Sequence, residues 1–169
     1  MASHVPIIDP VSENIFFDIM LKATYWNNPP ELEVVIDNEC IEKYIINQPE
    51  FHIRFRRVML FDQPHTLELR RAGKTNDQSQ TLPNGSIETQ MLEIKNIKLD
   101  NVDLRNLILS RSTFEPEYPE PWASEQLASG INLEKEILGE MYLGHNGVWR
   151  FRFTSPIYKF LVTWTTQGL

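Results

Sequence analysis

The chain has 169 residues, 41% of them apolar, enough to bury one core without metals or disulfides, so a single domain is expected. Its one cysteine, Cys40, excludes a disulfide-stapled scaffold, and its net charge of −7 argues against a nucleic-acid binder held by backbone phosphates. Met1 to Pro6 lacks the basic-then-apolar pattern of a leader, and no apolar run approaches the ~20 residues that span a bilayer, so no membrane segment is expected.

Residues 1–14 hold Pro6, Pro10, Asp9, Ser12 and Asn14 in no apolar period, which predicts an extended arm, with the domain proper over 15–169. Ile15 to Ala23 is rich in β-formers and reads as a first strand, ended by Asn27-Asn28-Pro29-Pro30. Glu31 to Ile36 and Glu39 to Ile46 are predicted to pair across a tight Asp37-Asn38 turn, because both residues tolerate positive φ. From Glu50 to Arg56 the pattern alternates, with Phe51, Ile53 and Phe55 inward and Glu50, His52, Arg54 and Arg56 outward. Leu67 and Leu69 repeat it.

Lys74 to Ser86 is a polar, turn-rich stretch that predicts a long loop without packed elements, hence a functional or mobile one. Leu92, Ile94, Ile97 and Leu99 form the next strand, and the shift of parity at Lys95-Asn96 predicts a bulge. Leu107 to Ser110 is expected as a short strand. Pro116, Pro119 and Pro121 impose extended backbone up to Trp122. Ala123 to Ser129 is the one helix candidate, with Gly130 as its stop. Asn146-Gly147 predicts a hairpin turn. Trp149, Phe151 and Phe153 should then face inward, and Tyr158, Phe160, Val162 and Trp164 should line a last strand. The fold class expected is all-β, an antiparallel jelly-roll-like sandwich with at most one short helix.

Little in the chain points to catalysis. His4, His52, His65 and His145 stand apart in sequence, with no HExxH motif, and there is no GxSxG elbow or phosphate-binding glycine loop. Cys40 follows Asn38-Glu39, a setting that raises a thiol pKa. Glu115, Glu117 and Glu120 near Trp122 resemble a glycosidase cleft only superficially, because prolines separate them. Asp37, Asn38, Asn76, Asp77, Asp100 and Asn101 fall at predicted strand ends, where calcium ligands gather, but they read first as turn formers. Of the four tryptophans, Trp149 and Trp164 share the core stripe. Trp26 and Trp122 are the candidates for exposed contact. Arg54, Arg56 and Arg57, with Arg70 and Arg71, crowd the outer faces of two predicted strands, with Arg150 and Arg152 as further candidates, and could meet an acidic partner.

The order His65-Thr66-Leu67-Glu68-Leu69, Gly73-Lys74, a polar loop, then Leu92-Glu93-Ile94 and Ile97-Lys98-Leu99-Asp100-Asn101 resembles the core of calcium-dependent xylan-binding modules. Where those modules place a loop aspartate before the strand, this chain has Thr89, so no cofactor is expected from the residues themselves, while calcium stays open as what the resemblance implies. With Phe114 to Gln126, Leu143-Gly144-His145-Asn146-Gly147-Val148-Trp149 and Phe153 to Phe160, the chain looks more like virion-associated proteins of marine and cyanobacterial tailed phages. That resemblance implies a non-enzymatic virion protein, in the capsid decoration or as a tail, neck or baseplate accessory. Its implied partners are other virion proteins or a second copy, and no nucleic acid or membrane. The contact residues expected are Trp26, Arg54, Arg56, Arg70 and Trp122. The alternative is a carbohydrate-binding module that attaches the virion to host glycans.

Overall fold

The computed structural model describes residues 11–167, with side chains through Trp164. Residues 1–10, most of the expected arm, lie outside the described residues. The elements in chain order are β1 (Ser12–Thr24), β2 (Glu31–Ile36), β3 (Glu39–Ile45), β4 (Glu50–Leu60), β5 (Pro64–Ala72), β6 (Ser79–Thr81), β7 (Ile87–Thr89), β8 (Met91–Leu99), β9 (Val102–Asp103), α1 (Arg105–Arg111), β10 (Thr113–Pro116), α2 (Trp122–Ala128), β11 (Ile137–Leu138), β12 (Tyr142–Leu143), β13 (Gly147–Thr154) and α3 (Ile157–Gln167). One sheet runs β12-β8-β1-β4, with β9 beside β8. The other runs β11-β10-β13-β5-β2-β3. Neighbours are antiparallel throughout, and the molecule is an antiparallel β-sandwich.

The strict alternation of β1 explains its central place. Ile15, Phe17, Ile19, Leu21 and Ala23 all turn inward and are buried, while the residues between them face out. Trp149, Phe151 and Phe153 of β13 press on them from the other sheet, with Leu67 and Leu69 of β5 and Leu32, Val34 and Ile36 of β2. Phe17 joins the layers. Its ring stacks on Phe55 across β1 and β4, with centroids 4.8 Å apart, and meets Phe153 edge-on at 6.2 Å. The expected bulge is present. Met20 pairs with Asn96 and Leu21 with Ile94, so Lys95 is skipped.

The tight turns also form as expected. Asp37 and Asn38 have φ of 50° and 65°, and Asp100 and Asn101 have 47° and 64°. Each aspartate adds a brace. Asp100 Oδ1 accepts from Phe16 N at 2.8 Å, and Asp37 Oδ1 accepts from Thr66 N at 2.8 Å. His65, buried at the start of β5, sits between Asp37 Oδ2 (2.7 Å from Nδ1) and the Leu60 carbonyl oxygen (2.7 Å from Nε2).

Five expectations are corrected. The helix content is higher than expected, with three helices among the described residues. Residues 107–110 belong to α1, because Leu104, Leu107 and Ile108 recur at helical spacing and are buried together, and Asp103 Oδ1 accepts from Arg105 N at 2.9 Å to start the turn. The last strand is α3. Tyr158 and Val162 are exposed, whereas Ile157, Phe160, Leu161 and Trp164 pack inward, a helical and not an alternating set. The 74–86 stretch contains a 3-10 turn at Asn76–Gln78 and the small β6–β7 ribbon. Gly144 to Gly147 is no hairpin: β12 pairs with β8, but β13 pairs with β10 and β5, so the chain crosses there from one sheet to the other.

The first strand begins at Ser12, within the stretch expected as an arm, and Glu13 has a structural task. Its Oε1 accepts from Ser155 Oγ at 2.6 Å and Ile157 N at 2.7 Å, which caps α3 from the far end of the chain. Glu13→Ala should therefore lower the unfolding free energy by about 1–2 kcal/mol, and Glu13→Gln by less, because it keeps the accepting oxygen. Denaturant titration checks this, and equal midpoints for parent and Glu13→Ala would remove the cap from the account.

Candidate functional site

The site is built where the chain crosses between the sheets. Arg71 is the fourth inward residue of β5, after His65, Leu67 and Leu69, and is only 2% exposed. Outward placement was expected for it and is corrected here. Its guanidinium donates to Leu143 O of β12 at 2.5 Å, and to Gln90 O and Oε1 at 3.1 and 2.6 Å. Gln90 passes the contact on, with Nε2 donating to Asn28 O at 2.7 Å and its backbone N donating to Gln78 O at 2.8 Å. Gln78 and Gln90 are both fully buried. This polar cluster ties the β1–β2 turn, the 76–78 turn and the entry of β8 to one strand of the opposite sheet.

Lys74 follows at the end of β5. Its backbone N donates to Asn146 Oδ1 at 3.0 Å, and Asn146 Nδ2 donates to Lys74 O at 2.9 Å. The asparagine side chain thus acts as a backbone partner for the loop, which is why it does not serve a hairpin. Next to it, Gly147 has a packing role. A Cβ there would stand 2.3 Å from Glu115 O and 2.9 Å from Pro116 Cα. With no side chain in the way, the end of β10 closes on the start of β13, and Glu117 N donates to Asn146 O at 2.6 Å.

That approach delivers the proline-framed segment to His145. The Tyr118 and Trp122 rings lie 5.1 and 5.3 Å from the His145 ring, centroid to centroid, and 6.0 Å from each other. Tyr118 Oη is fixed by donation to Glu134 O at 2.6 Å. Trp122 opens α2. That helix closes with Gly130 at φ +81°, Gly130 N donating to Leu127 O and Ile131 N to Gln126 O, the two reverse contacts of a glycine helix stop. Between α2 and the 74–79 stretch lies a cleft of about 310 Å³. Pro119, Pro121 and Trp122 form one wall. Lys74, Asn76, Ser79 and Asn146 also line the cleft, as do the exposed Glu117 and Glu125. Trp122 keeps 37% of its surface open.

The electrostatics follow from burial. Desolvation, then the charges of Lys74 and Arg71, push His145 down to about 4, so its ring is neutral at pH 7. Desolvation and then Arg71 push Lys74 down to about 8. Elsewhere, desolvation and a contact with Glu33 push the exposed Cys40 thiol up, away from nucleophile chemistry.

Of the residues expected to make contacts, only Trp122 lies in this cleft. Trp26 is half-buried in the β1–β2 connection. Arg54 and Arg56 point out of the first sheet, Arg54 paired with Asp18 at 3.5 Å and Arg56 over the Phe16 ring at 5.2 Å. Arg70 points out of the second sheet, bonded to Glu68 Oε2 at 3.1 Å, and Arg150 shares that glutamate. A common arginine face does not exist, because β4 and β5 are consecutive in sequence but belong to opposite layers. The calcium candidates do not converge either. Asp37 and Asp100 are spent on backbone amides, Asp77 on Asn27 and Thr75, and among the described residues no three His, Cys, Asp or Glu side chains meet to hold a metal. Among the described residues the side chains present do not fit a calcium site. Sequence reasoning missed Lys74, Tyr118, His145 and Asn146. The one signal that could have raised them is the adjacency of polar residues to Gly144 and Gly147 in a chain with few glycines.

No protein-family model matches the chain, and no curated protein matches its sequence. Two solved structures are similar in fold. One is vCBM60 in complex with galactobiose, 6% identical, with a TM-score of 0.48 over 80% of this chain and 96% of that one. The other is a selenomethionine form of vCBM60, described in a study linking two families of calcium-dependent carbohydrate binding modules. It is 6% identical, with a TM-score of 0.46 over 81% of this chain and 89% of that one.

Because His145 titrates from 6.5 when unfolded to about 4 when folded, the unfolded chain binds the extra proton between those values. Stability is present above the unfolded value and is lost as pH falls towards the folded one. The stability gap between the parent and His145→Gln should therefore move against the parent from pH 6.5 to 4. Thermal melts at several pH values read this, and a pH-independent gap would contradict a neutral, desolvated ring.

Proposed function

We propose that this protein is a non-catalytic binding module that holds a saccharide in the cleft beside Trp122. The supporting observation is the pairing of an open indole face with hydrogen-bonding groups across about 310 Å³, near the lower end of the roughly 300–1,000 Å³ usual for small-ligand pockets. A sugar ring has an apolar face that stacks on an aromatic and an equatorial belt of hydroxyls that both donate and accept. Asn76, Ser79 and Glu125 offer neutral and anionic partners for that belt, and Lys74 a donor. Tyr118 and His145 back the indole, so its orientation is set before ligand arrives, which reduces the entropy lost on binding.

The resemblance to phage virion proteins supplies a setting: a module that attaches the particle to glycans on the host surface. A purely structural place in the capsid or tail loses its main device, because the arginines meant for a partner are divided between the two outer faces and engaged within the chain. Glycan-array binding followed by titration calorimetry tests the saccharide reading. Trp122→Ala should weaken the best ligand about tenfold, the loss expected when a ring contact worth ~1.5 kcal/mol is removed. The reading fails if no saccharide on the array binds, or if the variant binds as the parent does.

A further inference from the structure

Lys74 lines the cleft with the buried Arg71 close by in the chain, and among the described residues no carboxylate pairs with either. Arg71 and Lys74 are three residues apart at the end of β5, and among the described residues neither reaches a carboxylate within ion-pair distance. Arg71 is 2% exposed, its partners are carbonyl and amide oxygens, and its Nε has no partner at all. The Lys74 ammonium is given only Gly144 O. His145 Nδ1 is likewise buried and unpartnered. A buried cation without a counter-ion is costly, and most chains pair it. Here the chain has ample carboxylate, with a net charge of −7, yet among the described residues none reaches either cation within ion-pair distance. The acids that line the cleft, Glu117 and Glu125, are exposed, and water screens them.

Resting on the saccharide reading above, we propose that the ligand is an acidic saccharide whose carboxylate or sulfate sits on Lys74 while its ring lies on Trp122. The ligand's anion takes the place of the missing counter-ion. The buried Arg71 guanidinium, fixed by its three hydrogen bonds, adds a standing positive field behind the ammonium at no cost in reorganisation. Lys74 suits this task. Its single ammonium accepts either anion geometry, whereas a planar guanidinium would favour a forked carboxylate. Glu117 and Glu125, which also line the cleft, accept from the ring hydroxyls.

The test compares three trisaccharides by calorimetry: a galacturonate trimer, a sulfated galactose trimer and the neutral galactose trimer. At least one acidic trimer should bind about tenfold tighter than the neutral one, the scale of one charge-assisted hydrogen bond, and the preference should shrink in high salt. Which trimer is preferred identifies the anion. Lys74→Gln, which keeps a donor for Gly144 O, should abolish the preference, and Lys74→Arg should keep it. Equal or tighter binding of the neutral trimer overturns the charge assignment and leaves the saccharide reading intact. Competition by sodium sulfate as effective as by the acidic trimer also overturns it, since it would mark a general anion site. If no saccharide binds, on the array or here, both readings fall together.

Discussion

The buried Arg71 guanidinium is the contact on which the candidate site depends. A β-sandwich is held in its middle by apolar side chains, but its margins are loops, and loops have backbone groups that must find partners. Here one side chain from the second sheet supplies donors to Leu143 O, Gln90 O and Gln90 Oε1, and through Gln90 to the turns at Asn28 and Gln78. Four segments that are distant in sequence are thereby fixed at one corner. The cost is a desolvated cation, visible in the depression of Arg71 to about 10 and of its neighbour Lys74 to about 8. The fold gains a rigid corner, and with it a positive wall.

The aromatic wall is made differently. It arises from a close backbone approach that only glycine permits, at Gly147 against Glu115 and Pro116. Once β10 and β13 are pressed together, the prolines beyond Pro116 leave the chain few conformations, and Trp122 arrives beside His145 as the first residue of a short helix. Polar and aromatic walls are therefore set by independent devices, one a hydrogen-bond cluster and the other a steric allowance. They share a single hinge, Asn146, whose side-chain amide holds the Lys74 backbone while its backbone carbonyl oxygen accepts from Glu117 N.

Sheet elements with one buried face were legible because their period is two and their breaks are Asn, Asp, Gly and Pro. The Phe51-Ile53-Phe55 stripe, the Lys95 bulge and the Asp37-Asn38 turn are all local patterns, and all are present. Short apolar runs were not legible. Leu107-Ile108 and Ile157 to Trp164 suit either period, and tertiary context chose helix: the first belongs to α1, which packs against β11 and β13, and the second sets Phe160 edge-on to Phe151 at 6.3 Å, with Ile157 anchored on Glu13. The arginines illustrate the same limit. Their outward or inward sense follows from alternation, which gives Arg54 and Arg56 correctly, but alternation says nothing about which layer a strand joins.

The amino-acid sequence by itself determined the class of fold, the inward stripes, the tight turns and the presence of an open, proline-framed tryptophan, because each of these is decided within about ten residues by backbone sterics and hydrophobic period. Tertiary structure alone decided that Lys74, Trp122, His145 and Asn146 share a cleft and that Arg71 is buried without a counter-ion. Those facts depend on strand order and on which sheet each strand enters. Strand order is set by the summed packing of two layers, a property no local window carries.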